Sequence, residues 1–157
     1  MRKKITMQRK FLSLVQVGLL VTTGLWLPSS VPASEDEVDV IVNKSNAVSS
    51  ISLNDVRKIF TCEKSVWPGS GKRITVLMLV PGQPERLIVL REIYKMRELD
   101  YTKYFLEAIF TGRLSEPPKE VSSPAQMKQY LTSHAGAVGY LKKQDVDDTV
   151  KVVLRVP

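Results

Sequence analysis

The sequence predicts an α/β domain whose sheet is mostly parallel or mixed and is flanked by helices. Two observations carry this prediction. Three short runs are rich in β-branched and other apolar residues, as buried strands are: 38–42 (VDVIV), 74–80 (ITVLMLV) and 150–156 (VKVVLRV). Between these runs, apolar residues recur with helical spacing in several segments. Strands that alternate with helices are typical of an α/β fold.

The first strand and helix are marked by turn and capping residues. The strand ends at residues 43–46 (NKSN), whose side chains favour turns. Ser52 stands three residues before an acid, an acidic form of the capping box, and predicts a helix of about two turns. Residues 67–71 (WPGSG) are predicted to be a loop. The nearly continuous apolar run 74–80 predicts a central strand covered on both faces.

Two helices are predicted after the central strand. Residues 81–84 (PGQP) break the strand, and apolar spacing predicts a helix from Glu85 to about Met96. A second helix is predicted by apolar residues at i, i+3, i+4 and i+7, and Gly112 follows where a helix stop is expected. These apolar residues are Tyr101, Tyr104, Phe105, Ala108 and Ile109.

The C-terminal part is predicted to contain one more helix and two strands. The proline pair at 117–118 must be extended or turning. Ser123 is placed to cap a helix whose first residue is proline, and this helix is expected to end near His134. The small residues of 135–141 (AGAVGYL) indicate a short strand that another backbone passes closely. The run 150–156 predicts a last, half-buried strand.

The N-terminal segment, residues 1–33, has the order of a secretory signal peptide. A basic stretch, 1–10, precedes an apolar stretch, 11–27, and small residues follow. The apolar stretch falls short of the ~20 apolar residues of a membrane span, so we expect cleavage after Ala33. The alternative is an uncleaved N-terminal anchor. In both cases the remainder, 34–157, is expected to be a single periplasmic domain that does not itself span the membrane.

Charge and cysteine content argue against two classes of protein. The chain has 23 basic and 16 acidic residues, a net charge of +7, but five basic residues lie in 1–10 and no acid precedes Glu35. A nucleic-acid-binding domain carries its basic excess on the folded surface, so no nucleic-acid partner is expected. Cys62 is the single cysteine and cannot form an intrachain disulfide or, without further cysteines, a zinc site.

No combination of residues specifies an enzyme. His134 is the single histidine and therefore the sole candidate of the usual kind for a general base, but its predicted place at a helix end favours a structural role. Lys64 near Cys62 could favour a thiolate, but a buried or incidental cysteine is the favoured interpretation. Phosphate-binding loops of the GxxxxGK[ST] and GxGxxG types are missing from the sequence. We therefore expect no catalytic residue, no metal site and no cofactor.

Two strand-to-helix junctions have the chemistry of an anion site. Helix N-termini present unpaired N–H groups and a partial positive charge, which suffice to hold an oxyanion. The first junction is 43–46, where Lys44 adds a full charge, and the second is 83–86, where Arg86 does so. The alternative is that these residues merely cap helices and form turns. The residues alone leave both interpretations open.

Several segments together resemble the exported phosphate-binding proteins of ABC transporters, and most closely their small substrate-binding relatives. The resemblance covers about 38–156. The segments that carry it are VIVNKSN (40–46), SLNDVRKIF (52–60), WPGSGKRI (67–74), LREIY (90–94), YFLEAIFTG (104–112) and GAVGYL (136–141).

This resemblance implies a single lobe of a type II periplasmic-binding-protein fold, and recognition of phosphate or a similar oxyanion for ABC transport or sensing. From the anion chemistry of the two junctions, we expect backbone and side-chain donors in the first junction, a counter-charge in the second, and glycines that allow close backbone approach. The corresponding ligand-binding residues are Asn43, Lys44, Ser45, Asn46, Arg86, Gly136 and Gly139. In place of the family's Ser-Gly-Thr loop, this chain has 80–86 (VPGQPER), with an added acid.

A second interpretation is a periplasmic protein-interaction module, for instance a partner of a membrane sensor, that has lost solute binding. The missing Ser-Gly-Thr loop and the single-lobe length favour it. One lobe cannot enclose a ligand, because closure around a ligand uses two lobes and a hinge. A transporter, a sensor or a second copy of the chain would supply the missing wall, so a homodimer is among the expected arrangements.

Overall fold

The computed structural model describes residues 37–156, which form a five-stranded sheet with four α-helices. The strands are β1 (Val38–Asn43), β2 (Thr75–Leu79), β3 (Lys119–Val121), β4 (Ala137–Lys142) and β5 (Val150–Val156). The helices are α1 (Leu53–Phe60), α2 (Pro84–Val89), α3 (Glu98–Phe110) and α4 (Pro124–Ser133). The predicted signal peptide, 1–33, lies outside the described residues.

The sheet is mixed, with the strand order β3-β2-β4-β1-β5. Strand β2 runs parallel to β3 and β4, whereas β1 runs antiparallel to both β4 and β5. The predicted α/β fold with a mostly parallel or mixed sheet is confirmed. The strand predicted to be central, β2, has a neighbour on each side, but β4 occupies the middle of the five strands.

The core lies on both faces of the sheet. Every residue of β1 is buried, and so are the first five residues of β4, which explains why these strands read as continuous apolar runs. Aromatic rings fill the space between the sheet and the helices: Tyr94 makes edge contacts with Phe60 and Tyr101, at centroid distances of 5.8 and 5.0 Å. The Tyr94 hydroxyl donates to the Phe60 carbonyl at 2.9 Å, which satisfies its buried polar group.

The helix-start signals in the sequence are confirmed. Ser52 caps α1 by accepting a hydrogen bond from the Asp55 amide at 3.1 Å, and Ser123 caps α4 by accepting one from the Gln126 amide at 3.2 Å. The helix predicted from Glu85 to Met96 is instead two consecutive segments, α2 and a π-helical segment, Leu90–Tyr94. The chain then leaves the helix through a left-handed residue, Lys95, whose φ is 56°.

Strand β3 is the one strand that the sequence does not predict. It has three residues, follows the proline pair directly and pairs in parallel with β2. Two of its three side chains are exposed, so it carries no apolar run that could mark it. Its place at the edge of the sheet depends on pairing with β2, which a local sequence pattern cannot report.

Gly136 lies where two backbone segments meet. Its carbonyl accepts a hydrogen bond from the Trp67 indole at 2.9 Å and another from the Thr75 amide at 3.1 Å. A Cβ atom at this position would lie 2.3 Å from the Arg73 carbonyl oxygen. Only a glycine therefore allows the loop before β2 to lie against the start of β4.

Replacing Gly136 by alanine should lower the free energy of unfolding more than the same change at Gly139. The Gly136 clash is with rigid backbone, whereas a Cβ at Gly139 would meet the flexible end of Met127 at 2.8 Å. We expect a loss of about 2–3 kcal/mol for Gly136→Ala and about 1 kcal/mol for Gly139→Ala, the range of overpacking costs. Urea unfolding followed by circular dichroism measures both, and equal losses would contradict this explanation.

Candidate functional site

The two predicted anion-binding junctions lie at opposite ends of the sheet. The carboxyl end of β1 pairs with the start of β4, Val42 opposite Val138, and the start of β2 pairs there too, Thr75 opposite Ala137. The carboxyl end of β2, which leads to α2, is at the other end. Residues 43–46 and Arg86 therefore lie at different ends of the sheet, because β1 and β2 run in opposite directions. The sequence prediction had assigned them to one site.

Asn43 is used inside the fold. Its side-chain amide donates to the carbonyls of Leu131 and Thr132, at 2.7 and 2.9 Å, and so satisfies the end of α4. Its side-chain oxygen accepts from the amide and hydroxyl of Ser45, at 2.8 and 2.7 Å. Both polar atoms of this buried side chain are thus occupied, and no donor remains for a solute.

Asn46 has the same kind of role. It is buried, donates to the Ala135 carbonyl at 3.3 Å and accepts from the Val48 amide at 2.9 Å. Lys44 differs, because its side chain is exposed and forms no ion pair with a residue of the range 37–156. Of the first junction, only Lys44 offers a free charge.

Gly136 and Gly139, predicted to approach a ligand, lie close to other residues of the protein instead. Gly136 approaches the Arg73 backbone and Gly139 approaches Met127. Tyr140, on β4, is fully buried, and its hydroxyl accepts a hydrogen bond from the Leu79 amide at 2.9 Å. Burial raises the pKa of Tyr140 well above its usual range. The close contacts at Gly136 and Gly139 are therefore with other parts of the same domain, the Arg73 backbone and the buried side chain of Met127.

Arg86 is a buried, fully paired cation. Only 2% of its side chain is exposed, and its Nε and Nη2 atoms donate to the Glu98 carboxylate at 3.0 and 2.6 Å. Its Nη1 atom donates to the Leu79 carbonyl and to Glu120, the latter at 3.2 Å, and the guanidinium lies 4.9 Å from the ring centroid of Tyr101. Burial acts to lower the pKa of Arg86, but the bonds to Glu98 raise it overall. The guanidinium ties α2 and α3 to the sheet.

Glu85 stands next to Arg86 at the start of α2. Its residue is 5% exposed, and its Oε2 atom has no hydrogen-bond partner in the described part of the chain. A buried carboxylate at this junction repels a second anion. The second predicted junction therefore presents an acid and no free cation.

A different place, near the start of β2, has the character of an anion site. A cavity of about 460 Å³ opens there, between the loop after α1, the residues around Arg73 and the segment that leads into β3. Three cationic side chains line it, together with one acid and several hydroxyl groups. The cations are Lys64, Arg73 and Lys119, the acid is Glu116, and the residues with hydroxyl groups are Ser65, Thr75, Ser115 and Tyr130.

The three cations differ in how freely they can bind. Arg73 is exposed and forms no side-chain hydrogen bond or ion pair with residues 37–156. Lys119 lies 5.4 Å from the ring centroid of Tyr130 and has no acidic partner within this range. Lys64 pairs with Asp55 at 3.4 Å, across a partly exposed contact that water screens. The cavity thus presents more positive charge than its own acid, Glu116, neutralises.

Cys62 lines the same cavity but is not activated. Burial, and secondarily the charge of Glu116, raise the pKa of the Cys62 thiol to about 11. The thiol is therefore protonated at neutral pH, and a thiolate nucleophile is not available. Lys64, two residues further along the same loop, does not reverse this shift in pKa.

The three cavity cations were not candidate anion ligands in the sequence prediction. Lys64 and Arg73 belong to the loops before β2, whereas Lys119 is some 45 residues further along, and no motif joins them. They meet because β3 pairs with β2 and brings Lys119 opposite Leu77. Since β3 itself has no sequence signal, only the three-dimensional fold could identify this group.

Within residues 37–156, the structure shows neither a metal-binding cluster nor a membrane-spanning helix. No three or more histidine, cysteine, aspartate or glutamate side chains in this range converge in a way that could hold a metal ion. None of the helices described here combines the length and the apolar character that crossing a bilayer requires.

Comparison with solved structures identifies the fold. The chain superposes on a phosphate ABC transporter substrate-binding protein with bound phosphate from Clostridium perfringens, with a TM-score of 0.61 and 19% identity over 74% of this chain and 43% of that one. For an ABC-type phosphate transport receptor from Vibrio cholerae, the TM-score is 0.52 and the identity 19%, over 74% of this chain and 44% of that one. For PstS from Borrelia burgdorferi, the TM-score is 0.51 and the identity 13%, over 74% of this chain and 46% of that one.

The chain spans less than half the length of each of these proteins. The predicted resemblance to phosphate-transport substrate-binding proteins is confirmed at the level of the fold, and the five-stranded mixed sheet with its helices corresponds to a single lobe. No protein-family model matches the sequence, and no curated protein matches it significantly.

Replacing Arg86 by methionine should destabilise the protein in the absence of any solute. The change removes the bonds to Glu98 and leaves the Leu79 carbonyl without a donor, so we expect a loss of about 2–4 kcal/mol in the free energy of unfolding. Arg113→Met, at an exposed arginine, is the control and should cost under about 1 kcal/mol. Unchanged stability of Arg86→Met would contradict the structural role of Arg86.

Cys62 should react slowly with thiol reagents near neutral pH. Because burial raises its pKa to about 11, the reaction rate of the native protein should keep rising through pH 10. In urea, the rate should level off above the ordinary cysteine pKa of about 8.5. Stopped-flow measurements with a disulfide reagent give both profiles, and a native rate that levels off near pH 8 would be inconsistent with a buried thiol.

Proposed function

We propose that this protein is an exported, solute-binding-like protein that recognises phosphate or a similar small oxyanion, for ABC transport or for sensing, without catalysis. The cation-lined cavity near the start of β2 carries the proposal. Arg73 and Lys119 face this cavity with no acid paired to either within residues 37–156. Unneutralised cations in a partly enclosed space attract anions more strongly than the same charges on a flat surface.

The fold supports the same class of ligand. The solved structures that it resembles are phosphate receptors, and one of them holds phosphate. Our proposal differs from the sequence prediction in the position of the site. The residues predicted from the two junctions are engaged within the domain, so the anion would contact Arg73, Lys119 and Lys64 instead.

A single lobe limits the affinity of such a site. The cations at the cavity mouth are exposed to water and salt, which screen their attraction for an anion. Glu116 also lines the cavity and opposes anion binding. We therefore expect weak binding to the isolated domain, and tighter binding when a transporter, a sensor protein or a second copy closes over the cavity.

Export is part of the proposal and depends on the sequence alone. Residues 1–33 have the pattern of a signal peptide, and cleavage after Ala33 would release the domain into the periplasm. A periplasmic location suits a protein that meets solutes before a membrane transporter or sensor does.

The second candidate function, a protein-interaction module, is favoured by the outer face of α3. Leu99, Leu106 and Phe110 are 75%, 63% and 94% exposed and share one face of the helix. This face is opposite the buried Tyr101 and Phe105. A row of exposed apolar side chains on one helix is typical of a protein contact. Crosslinking of the protein to a partner in the native cell envelope tests this function. A crosslink that is lost in Phe110→Glu but retained in Lys128→Glu would favour it.

Removing one cavity cation should weaken phosphate binding. We expect Arg73→Gln and Lys119→Gln each to raise the Kd about three- to ten-fold, since one partly exposed charge contact contributes on the order of 1 kcal/mol. Lys103→Gln makes the same change of charge on α3 and should leave the Kd unaltered. Titration calorimetry at low ionic strength measures these values for phosphate, sulfate and small carboxylates.

The same titration can refute the proposal. A wild-type protein that gives no heat and no thermal shift with millimolar phosphate, sulfate or carboxylate does not function by binding these oxyanions. Binding that persists unchanged at high salt would also contradict an electrostatic site.

A further inference from the structure

We propose that the cation-lined cavity binds a phosphate monoester, a phosphate group that carries an organic substituent, in preference to inorganic phosphate. This inference rests on the proposed function, because it names the class of anion that the same cavity takes. Two observations carry it: the size of the cavity and the mixed chemistry of its lining.

The cavity has room for a ligand larger than inorganic phosphate. A water molecule in the liquid occupies about 30 Å³, so about 460 Å³ has room for on the order of 15 water-sized groups. Inorganic phosphate has only five non-hydrogen atoms. A phosphate ion would fill about a third of the space and would leave the rest to solvent. A phosphate ester with an organic group of about ten further atoms matches the volume.

Part of the lining is apolar and gains nothing from a bare anion. Ile74, directly before β2, and Val76, on β2, are buried, and Leu114 and Pro117 belong to the segment between α3 and β3. Leu114 packs partly against the core and keeps part of its side chain accessible. Small-molecule sites commonly combine such an apolar wall with a few polar groups that fix orientation. An organic substituent would remove the accessible surface of Leu114 and Pro117 from water, which is favourable.

The cationic and apolar parts of the lining adjoin each other. Lys119 directly follows the proline pair, and its ammonium group lies 5.4 Å from the centroid of the Tyr130 ring. A phosphate group held by Lys119 therefore has its substituent beside Tyr130 and the prolines. The hydroxyls of Ser65 and Ser115 also line the cavity and can donate to the ester oxygens.

Calorimetry with three probes tests the ligand class: inorganic phosphate, phenyl phosphate and phenol. Phenyl phosphate keeps the anion and adds an apolar ring, whereas phenol has the ring without the anion. We expect phenyl phosphate to bind at least ten-fold more tightly than inorganic phosphate to the wild-type protein, and phenol to give no saturable binding.

Replacing a residue of the apolar wall distinguishes the contribution of the organic substituent to binding from that of the phosphate group. Leu114→Ala should bring the affinity for phenyl phosphate down towards that for inorganic phosphate, while the affinity for inorganic phosphate stays the same. Leu106→Ala, the same change on the outer face of α3, is the matched control and should alter neither value. Thermal unfolding of each variant establishes that it is folded at the temperature of the titration.

The outcomes distinguish this inference from the function on which it rests. If phosphate binds and depends on Arg73 and Lys119, but phenyl phosphate binds no more tightly, the inference is wrong and the proposed function stands. If neither phosphate nor phenyl phosphate binds, the proposed function fails and the inference fails with it. Tighter phenyl phosphate binding that Leu114→Ala leaves intact would also overturn the assignment to this cavity.

Discussion

The close contact between Gly136 and the loop before β2 is the constraint on which much of the molecule depends. The Gly136 carbonyl accepts hydrogen bonds from the Trp67 indole and the Thr75 amide, and the missing side chain leaves room for the Arg73 backbone. These bonds place β2 beside β4 in parallel. They also fix Arg73 at the mouth of the cavity, so the packing that aligns the sheet also positions a cation of the candidate site.

Most polar residues that look like ligands in the sequence stabilise the fold instead. Asn43 and Asn46 bond to carbonyls at the end of α4, and Arg86 joins Glu98, Glu120 and the carboxyl end of β2. Buried donors and acceptors must be paired, so a polar residue that folding has buried is usually occupied. The charged side chains that stay available to a ligand include Lys44, in a surface loop, and the cations that line the cavity.

A lobe of this kind has room for two functions that do not exclude each other. The cavity near β2 offers charge and volume for an anionic solute, and the outer face of α3 offers exposed leucine and phenylalanine side chains. The solved phosphate receptors of the same fold are more than twice as long as the matched region. A further surface that covers the cavity would enclose a solute more fully, so solute recognition and protein contact can be coupled.

The sequence by itself determined four of the five strands and the order of the four α-helices, because strand and helix signals are local. The apolar runs of β1, β2 and β5, the caps at Ser52 and Ser123, and the small residues of β4 all predicted elements that the structure contains. Tertiary structure alone decided strand direction, the edge strand β3 and the grouping of Lys64, Arg73 and Lys119. These depend on pairing between residues far apart in the chain, and a side chain's availability for a ligand depends on which buried partners it meets after folding.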